Sequence, residues 1–171
     1  MQTRVWLSIG SNLEREANIT GSIKALQESF GELILSQVYE NPSFGFEGSP
    51  FYNLVAGFDT DWTITQLTEH FHQIEADHGR IRGGAKFAAR SLDIDLLLYG
   101  DLVLNEDALV LPRPEILEYA FVLGPLAEVA GDQCHPILGS SYAELWSEFD
   151  QDKHLLKSVE FPGTSPSRMQ S

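Results

Sequence analysis

The chain has 171 residues, 43% of them hydrophobic, with no long Pro/Gly/Ser linker and a formal net charge of −14. That supports one sizeable core rather than two domains, and so acidic a chain does not offer the broad basic surface of a general nucleic-acid binder. The single Cys134 excludes an internal disulfide, Met1 to Asn12 lacks a secretory leader's basic start and apolar run, and no apolar stretch approaches the roughly 20 residues that span a bilayer. The expectation is a chain that is cytoplasmic, avoids membrane and nucleic acid, and acts as a monomer.

Arg4 to Ile9 is a short β-branched and aromatic run ending in the turn formers Gly10-Ser11-Asn12, which predicts a first strand and its loop. From Ala17 to Phe30, Ile19, Ile23, Leu26 and Phe30 recur at helical spacing before Gly31, a stop signal. Leu33 to Tyr39 and Phe51 to Phe58 read as two strands joined by Glu40 to Pro50, a connection with two prolines and two glycines that is long for a hairpin and carries Phe44 and Phe46. Thr63-x-x-Gln66 has the form of a capping box for a second helix, whose apolar positions Ile64, Leu67, Phe71 and Ile74 run on towards Gly79. Leu92 to Tyr99 is the next strand, and Gly100-Asp101 offers a reversal into Leu102-Val103-Leu104. The order β-α-β-β-α-β predicts an α+β, ferredoxin-like sandwich: a mainly antiparallel sheet with helices packed on it. Beyond Pro112 the pattern turns helical over Phe121 to Ala130 and Tyr142 to Phe149. The expected limits are one domain over 1–160 and a flexible tail over 161–171.

Between Lys24 and Lys153 the only basic residues are Arg80, Arg82, Lys86, Arg90 and Arg113, and four of them precede the Leu92 strand. Guanidinium groups grip phosphate oxygens through paired donors, and Gly83-Gly84 allows such a segment to close. No G-x-x-x-x-G-K-[ST] occurs, so a P-loop does not do this work. In the strand itself Asp93 and Asp95 lie two apart and share a face, their Cβ atoms about 6 to 7 Å apart, while Leu92, Ile94, Leu96 and Leu98 are expected to cover the other face. Two such carboxylates suit Mg²⁺, which takes oxygen ligands and fills its other positions with water and substrate phosphate. The bland alternatives are an exposed strand face and a solvated charge run. Asn53 offers an amide able to donate and accept towards a heterocycle, or equally to satisfy a core. Phe51 projects from the same face and could stack on a flat ring. His70, His72, His78, His135 and His154 show no metal-ligand spacing and read as structural or exposed, and Cys134 beside His135 makes no dyad.

The run Lys86-Phe87-Ala88-Ala89-Arg90-Ser91-Leu92-Asp93-Ile94-Asp95-Leu96-Leu97 resembles the signature of the 6-hydroxymethyl-7,8-dihydropterin pyrophosphokinase family. Gly10-Ser11-Asn12, Pro50-Phe51-Tyr52-Asn53 and Glu75 followed by Gly79-Arg80 stand in that family's order, and the likeness covers about residues 3 to 130. The resemblance implies transfer of pyrophosphate from ATP to the pterin hydroxymethyl group, with AMP leaving, as a step of folate biosynthesis. It implies that Asp93 and Asp95 hold two Mg²⁺ ions and that Arg80, Arg82 and Arg90 neutralise the triphosphate. Lys86, Leu96, Val110 and Arg113 are the further nucleotide positions it implies. The pterin would lie between Phe51 and Phe121, with Asn53 on its pyrimidine edge and Asn41, Pro42, Phe44 and Phe87 around it.

The chain departs from the family pattern where Pro-His-Pro becomes Pro112-Arg113-Pro114, where a later Arg becomes Tyr119, where a loop cation becomes Gly83 and where a loop Trp becomes Phe87. Each lost phosphate contact costs about 1 to 3 kcal/mol. Two other readings therefore stand beside the enzyme: a divergent pterin- or nucleotide-binding protein with little catalysis, and a ferredoxin-like interaction module that would leave the Asp pair unexplained.

Overall fold

A computed structural model describes residues 2–12, 14–41, 51–79, 92–149 and 156–159. The chain order is β1 (Thr3–Ser11), α1 (Arg15–Phe30), β2 (Ile34–Leu35), β3 (Val38–Asn41), β4 (Phe51–Thr60), α2 (Ile64–Gly79) and β5 (Asp93–Tyr99), then β6 (Leu104–Glu106), β7 (Leu109–Leu111), α3 (Glu115–Glu118), α4 (Ala120–Ala130), α5 (Tyr142–Glu148) and β8 (Lys157–Val159). The main sheet runs β5-β1-β4-β3-β8, with β2 also paired to β4, and every pairing is antiparallel. This is the expected ferredoxin-like arrangement. Among the described residues no helix is long and apolar enough to cross a membrane.

The two faces of the sheet follow from strand alternation. Val5, Leu7 and Ile9 of β1, Leu54, Ala56 and Phe58 of β4, and Ile94 and Leu96 of β5 enter one core with Ile19, Ile23 and Leu26 of α1 and Leu67, Phe71 and Ile74 of α2. The start of α2 and the end of α1 are as their sequences suggest, whereas α1 begins at Arg15, two residues before the expected Ala17. Thr63 and Gln66 exchange the two hydrogen bonds of a capping box, at 2.8 and 3.1 Å. Gly31, at φ 81°, donates its N–H to the Gln27 carbonyl and closes α1 in a backbone region that favours glycine. The other face carries Trp6 and Val55, which join Leu97, Leu98 and the apolar positions of α3, α4 and α5 in a second core. Among the described residues that C-terminal layer covers only part of the face, and the end it leaves uncovered is the site described below.

Four features differ from the sequence reading. The second strand divides into β2 and β3 around Ser36, whose backbone N–H and side-chain oxygen both bond β4 at Val55. Leu98 does not share the face of Ile94 and Leu96. The pairs Trp6↔Leu98 and Leu7↔Leu96 leave Leu97 as an extra residue, so the bulge resets alternation and brings both Leu97 and Leu98 to the second core. The turn at Gly100 forms, at φ 58°, but Leu102 and Val103 lie outside any strand and β6 pairs with β7 in a separate hairpin. The edge strand β8 has no counterpart in the sequence reading. The expected tail 161–171 lies outside the described residues.

Candidate active site

A cleft of about 240 Å³ opens on the uncovered end of the second face. Its floor is three adjacent strands: Ser8 and Gly10 from β1, Phe51 and Asn53 from β4, and Asp93, Asp95 and Leu97 from β5. Register explains why these meet. Gly10 pairs with Asn53 on one side and with Asp93 on the other, while Ser8 pairs with Asp95. All lie on one face because side chains alternate along strands. Arg113, Glu115, Tyr119, Phe121 and Val122 form the facing wall, brought there by the turn into α3 and α4.

Several local devices hold the floor. Gly10 lacks a side chain because the Asn53 amide lies across it: an added Cβ would sit 2.6 Å from Asn53 Nδ2. Asn53 is 7% exposed, and its Oδ1 is buried without a hydrogen-bond partner among the described residues. An orphaned acceptor of this kind costs about 1 to 3 kcal/mol, which a ligand donor would recover. Between the two aspartates, Ile94 donates its N–H to Glu75 Oε2 at 2.7 Å, tying β5 to α2 and fixing the strand that carries the pair. Asp93 and Asp95 are both half-buried. Across the cleft, Arg113 donates its backbone N–H to the Leu97 carbonyl at 3.0 Å, and its guanidinium lies 3.5 Å from both Asp95 Oδ1 and Glu115 Oε1. Tyr119 stacks on Phe121, with ring centroids 5.0 Å apart.

The structure thus brings together Phe51, Asn53, Asp93, Asp95, Arg113 and Phe121 of the residues singled out from sequence. Asn41 ends β3 opposite Phe51. Leu96 is 2% exposed in the first core, so its side chain does not face the cleft, and Val110 lies on β7 apart from the lining residues. Pro42, Phe44, Arg80, Arg82, Lys86, Phe87 and Arg90 lie outside the described residues. Sequence reasoning missed Ser8, Leu97, Glu115 and Val122 as lining residues and gave Gly10 no role at the site. Gly10 and Ser8 could have been found from the register of β1 against β4 and β5. Glu115 carries no signal beyond standing two residues after Arg113.

Among the described residues no group of three or more His, Cys, Asp or Glu could enclose a metal ion. The donor set is two carboxylates on one face of a partly open cleft. That fits a hard cation sharing its remaining positions with water and a phosphate ligand, and does not fit a closed structural site.

Residues 6–131 match the sequence profile of the 7,8-dihydro-6-hydroxymethylpterin-pyrophosphokinase family. The chain belongs to this family. The matched stretch contains all the lining residues of the cleft and the basic segment before β5. A 2-amino-4-hydroxy-6-hydroxymethyldihydropteridine pyrophosphokinase of Methylorubrum extorquens is 35% identical over 134 residues, covering 76% of this chain and 84% of that one. A folic acid synthesis protein of Pneumocystis carinii is 34% identical over 147 residues, 84% of this chain, which spans only 20% of that protein's length. Among solved structures, wild-type HPPK-DHPS of Plasmodium falciparum superposes with a TM-score of 0.66 at 14% identity, over 85% of this chain and 43% of that one. That likeness bears on the fold. In this member of the family the cleft lies wholly within the stretch that the profile matches.

Proposed function

We propose that this chain transfers the pyrophosphoryl group of ATP to the hydroxymethyl oxygen of 6-hydroxymethyl-7,8-dihydropterin, releasing AMP, as a step of folate biosynthesis. The observation that carries the reading is the placement of Asn53, with its orphaned amide oxygen, and the rings of Phe51 and Phe121 in the same cleft as Asp93 and Asp95. A flat, donor-rich heterocycle and a metal-bound polyphosphate are what such a cleft can hold side by side. Family membership supports the same reaction. Residues 1–160 are read as one domain carrying it, acting as a cytoplasmic monomer on small-molecule substrates.

In this reading Asn53 accepts from the pyrimidine edge and fixes the ring in its plane, and Phe51 and Phe121 exclude water from the ring faces. The hydroxymethyl oxygen is thereby held towards β5, where its attack on the β-phosphorus expels AMP. Asp93 and Asp95 would hold Mg²⁺, two ions by the family resemblance, which when bound neutralises charge on the β- and γ-phosphates. Arg113 places a cation beside Asp95. Arg80, Arg82, Lys86 and Arg90 are proposed to neutralise the rest of the triphosphate.

The test is to incubate the protein with the reduced hydroxymethylpterin, ATP and Mg²⁺ and to identify the nucleotide product. AMP with pterin diphosphate is expected, and ADP would sink the reaction. Asp95→Asn is expected to lower turnover by at least about a hundredfold while leaving the melting temperature within a few degrees of the parent. A fully active Asp95→Asn variant would remove the metal assignment. The ion pair between Arg113 and Asp95 favours one second reading, a pterin- or nucleotide-binding protein with little catalysis. Pterin binding without turnover would select it.

A further inference from the structure

We infer that Arg113 is a built-in counter-ion for Asp95, held in place by Glu115, and that it competes with a divalent cation entering the cleft. The inference rests on the reading of Asp93 and Asp95 as metal ligands. Arg113 spans the two carboxylates with different ends of its guanidinium: Nη2 lies 3.5 Å from Asp95 Oδ1 and Nε lies 3.5 Å from Glu115 Oε1. Its main chain is fixed independently by the bond from its N–H to the Leu97 carbonyl, so the side chain is anchored at its root and free to pivot at its tip.

The two occupants compete for one carboxylate. A Mg²⁺ ligand oxygen sits about 2.0 to 2.1 Å from the ion, and a guanidinium kept at 3.5 Å from that same oxygen would place two positive groups side by side. The contest is one the cation can win. Side-chain exposure is 28% for Arg113 and 47% for Asp95, and at that exposure an ion pair is weak. The separation is also too long for a good hydrogen bond. Displacement leaves the guanidinium on Glu115, still inside the cleft, with its Nη donors released towards whatever anion accompanies the cation. Among the described lining residues Asp95 and Glu115 both face Arg113, and this pair of carboxylates attracts a cation electrostatically. Arg113 offsets that attraction and favours a cation that arrives with its polyphosphate. Glu115 is therefore a positioning residue, acting through Arg113.

The experiment is a calorimetric titration of Mn²⁺ into the full nucleotide-free chain. Arg113→Gln is expected to tighten Mn²⁺ binding roughly fivefold, the scale of a half-exposed ion pair, and Arg113→Lys, which keeps the charge, to stay near the parent. Glu115→Gln is expected to weaken binding, because Arg113 then pairs with Asp95 alone, and this effect should vanish in the Arg113→Gln/Glu115→Gln double variant. Unchanged or weaker binding by Arg113→Gln overturns the inference, as does equal tightening by Arg113→Lys. A Glu115→Gln effect that persists in full without Arg113 reduces Glu115 to a plain charge and overturns its role. Asp95→Asn separates this from the underlying reading: if it leaves Mn²⁺ binding unchanged, the metal assignment fails and the inference falls with it.

Discussion

Gly10 and Gly57 lie on the same face of the sheet, yet a methyl group at each meets a different kind of neighbour. At Gly10 the nearest atom is Asn53 Nδ2, 2.6 Å from the added carbon, which is the end of a short side chain at the edge of an open cleft. Asn53 can rotate away, so Gly10→Ala should cost less than about 1 kcal/mol of stability while losing one or two ligand hydrogen bonds, or about tenfold in pterin affinity. At Gly57 the added carbon would overlap the ring of Trp6, which is 1% exposed and donates its Nε1–H to Gln133 Oε1 at 3.1 Å. That ring has nowhere to go. Gly57→Ala should destabilise by about 1 to 3 kcal/mol, the cost of overpacking. Urea unfolding and a pterin titration on both variants check the contrast, and a large stability loss at Gly10 with unchanged pterin affinity would refute it. Asp93, Asp95 and Asn53 were legible in the sequence because strand alternation alone gives them a face. The role of Gly10 was not, because it depends on which strand lies beside β1 and in what register.

The elements divide along the same line between local and non-local causes. The start of α2 was readable because Thr63 and Gln66 bond within one turn. The break between β2 and β3 and the bulge in β5 were not, because each exists only against a partner strand. Ser36 shows the energetics of such a break. It is fully buried; its hydroxyl accepts from Val55 N–H at 2.9 Å and donates to the Gln37 carbonyl at 2.8 Å, taking the place of a ladder bond where the strand is interrupted. Ser36→Ala leaves that Val55 N–H buried and unpaired, at a cost of about 1 to 3 kcal/mol. Chemical denaturation should register this loss, with Mn²⁺ affinity unchanged because Ser36 is not among the residues lining the cleft. A variant as stable as the parent would mean that the Val55 N–H finds another partner.

On the scale of the whole molecule, the sheet serves two cores, and the facing wall of the cleft is only as firm as the second core behind it. That core is tied to the β1 floor through Trp6 and Gln133, in the connection between α4 and α5 where His135 lies 4% exposed. His135 Nδ1 faces the backbone N–H groups of Ile137 and Leu138, each at 3.2 Å, and its ring meets Tyr142 edge-on at 6.2 Å. Both donors require an unprotonated Nδ1, and burial lowers the ring's pKa from its ordinary 6.5. The unfolded chain therefore takes up a proton near pH 6.5 that the native chain refuses, so stability is whole above that value and declines as pH falls below it, until the folded ring itself protonates. Asp59, Tyr39 and Tyr142 act outside this window. Asp59, held below its ordinary 3.8 first by its hydrogen bond from Arg4, weakens the fold only at lower pH, and Tyr39 and Tyr142, raised first by burial, matter only near and above their ordinary 10.0. Denaturation followed by tryptophan fluorescence between about pH 7.5 and 5.5 should show this decline. His135→Gln should start from lower stability but lose less of it across the same range. If the two slopes are equal, the acid sensitivity lies elsewhere, and the cleft wall is not held by a neutral His135.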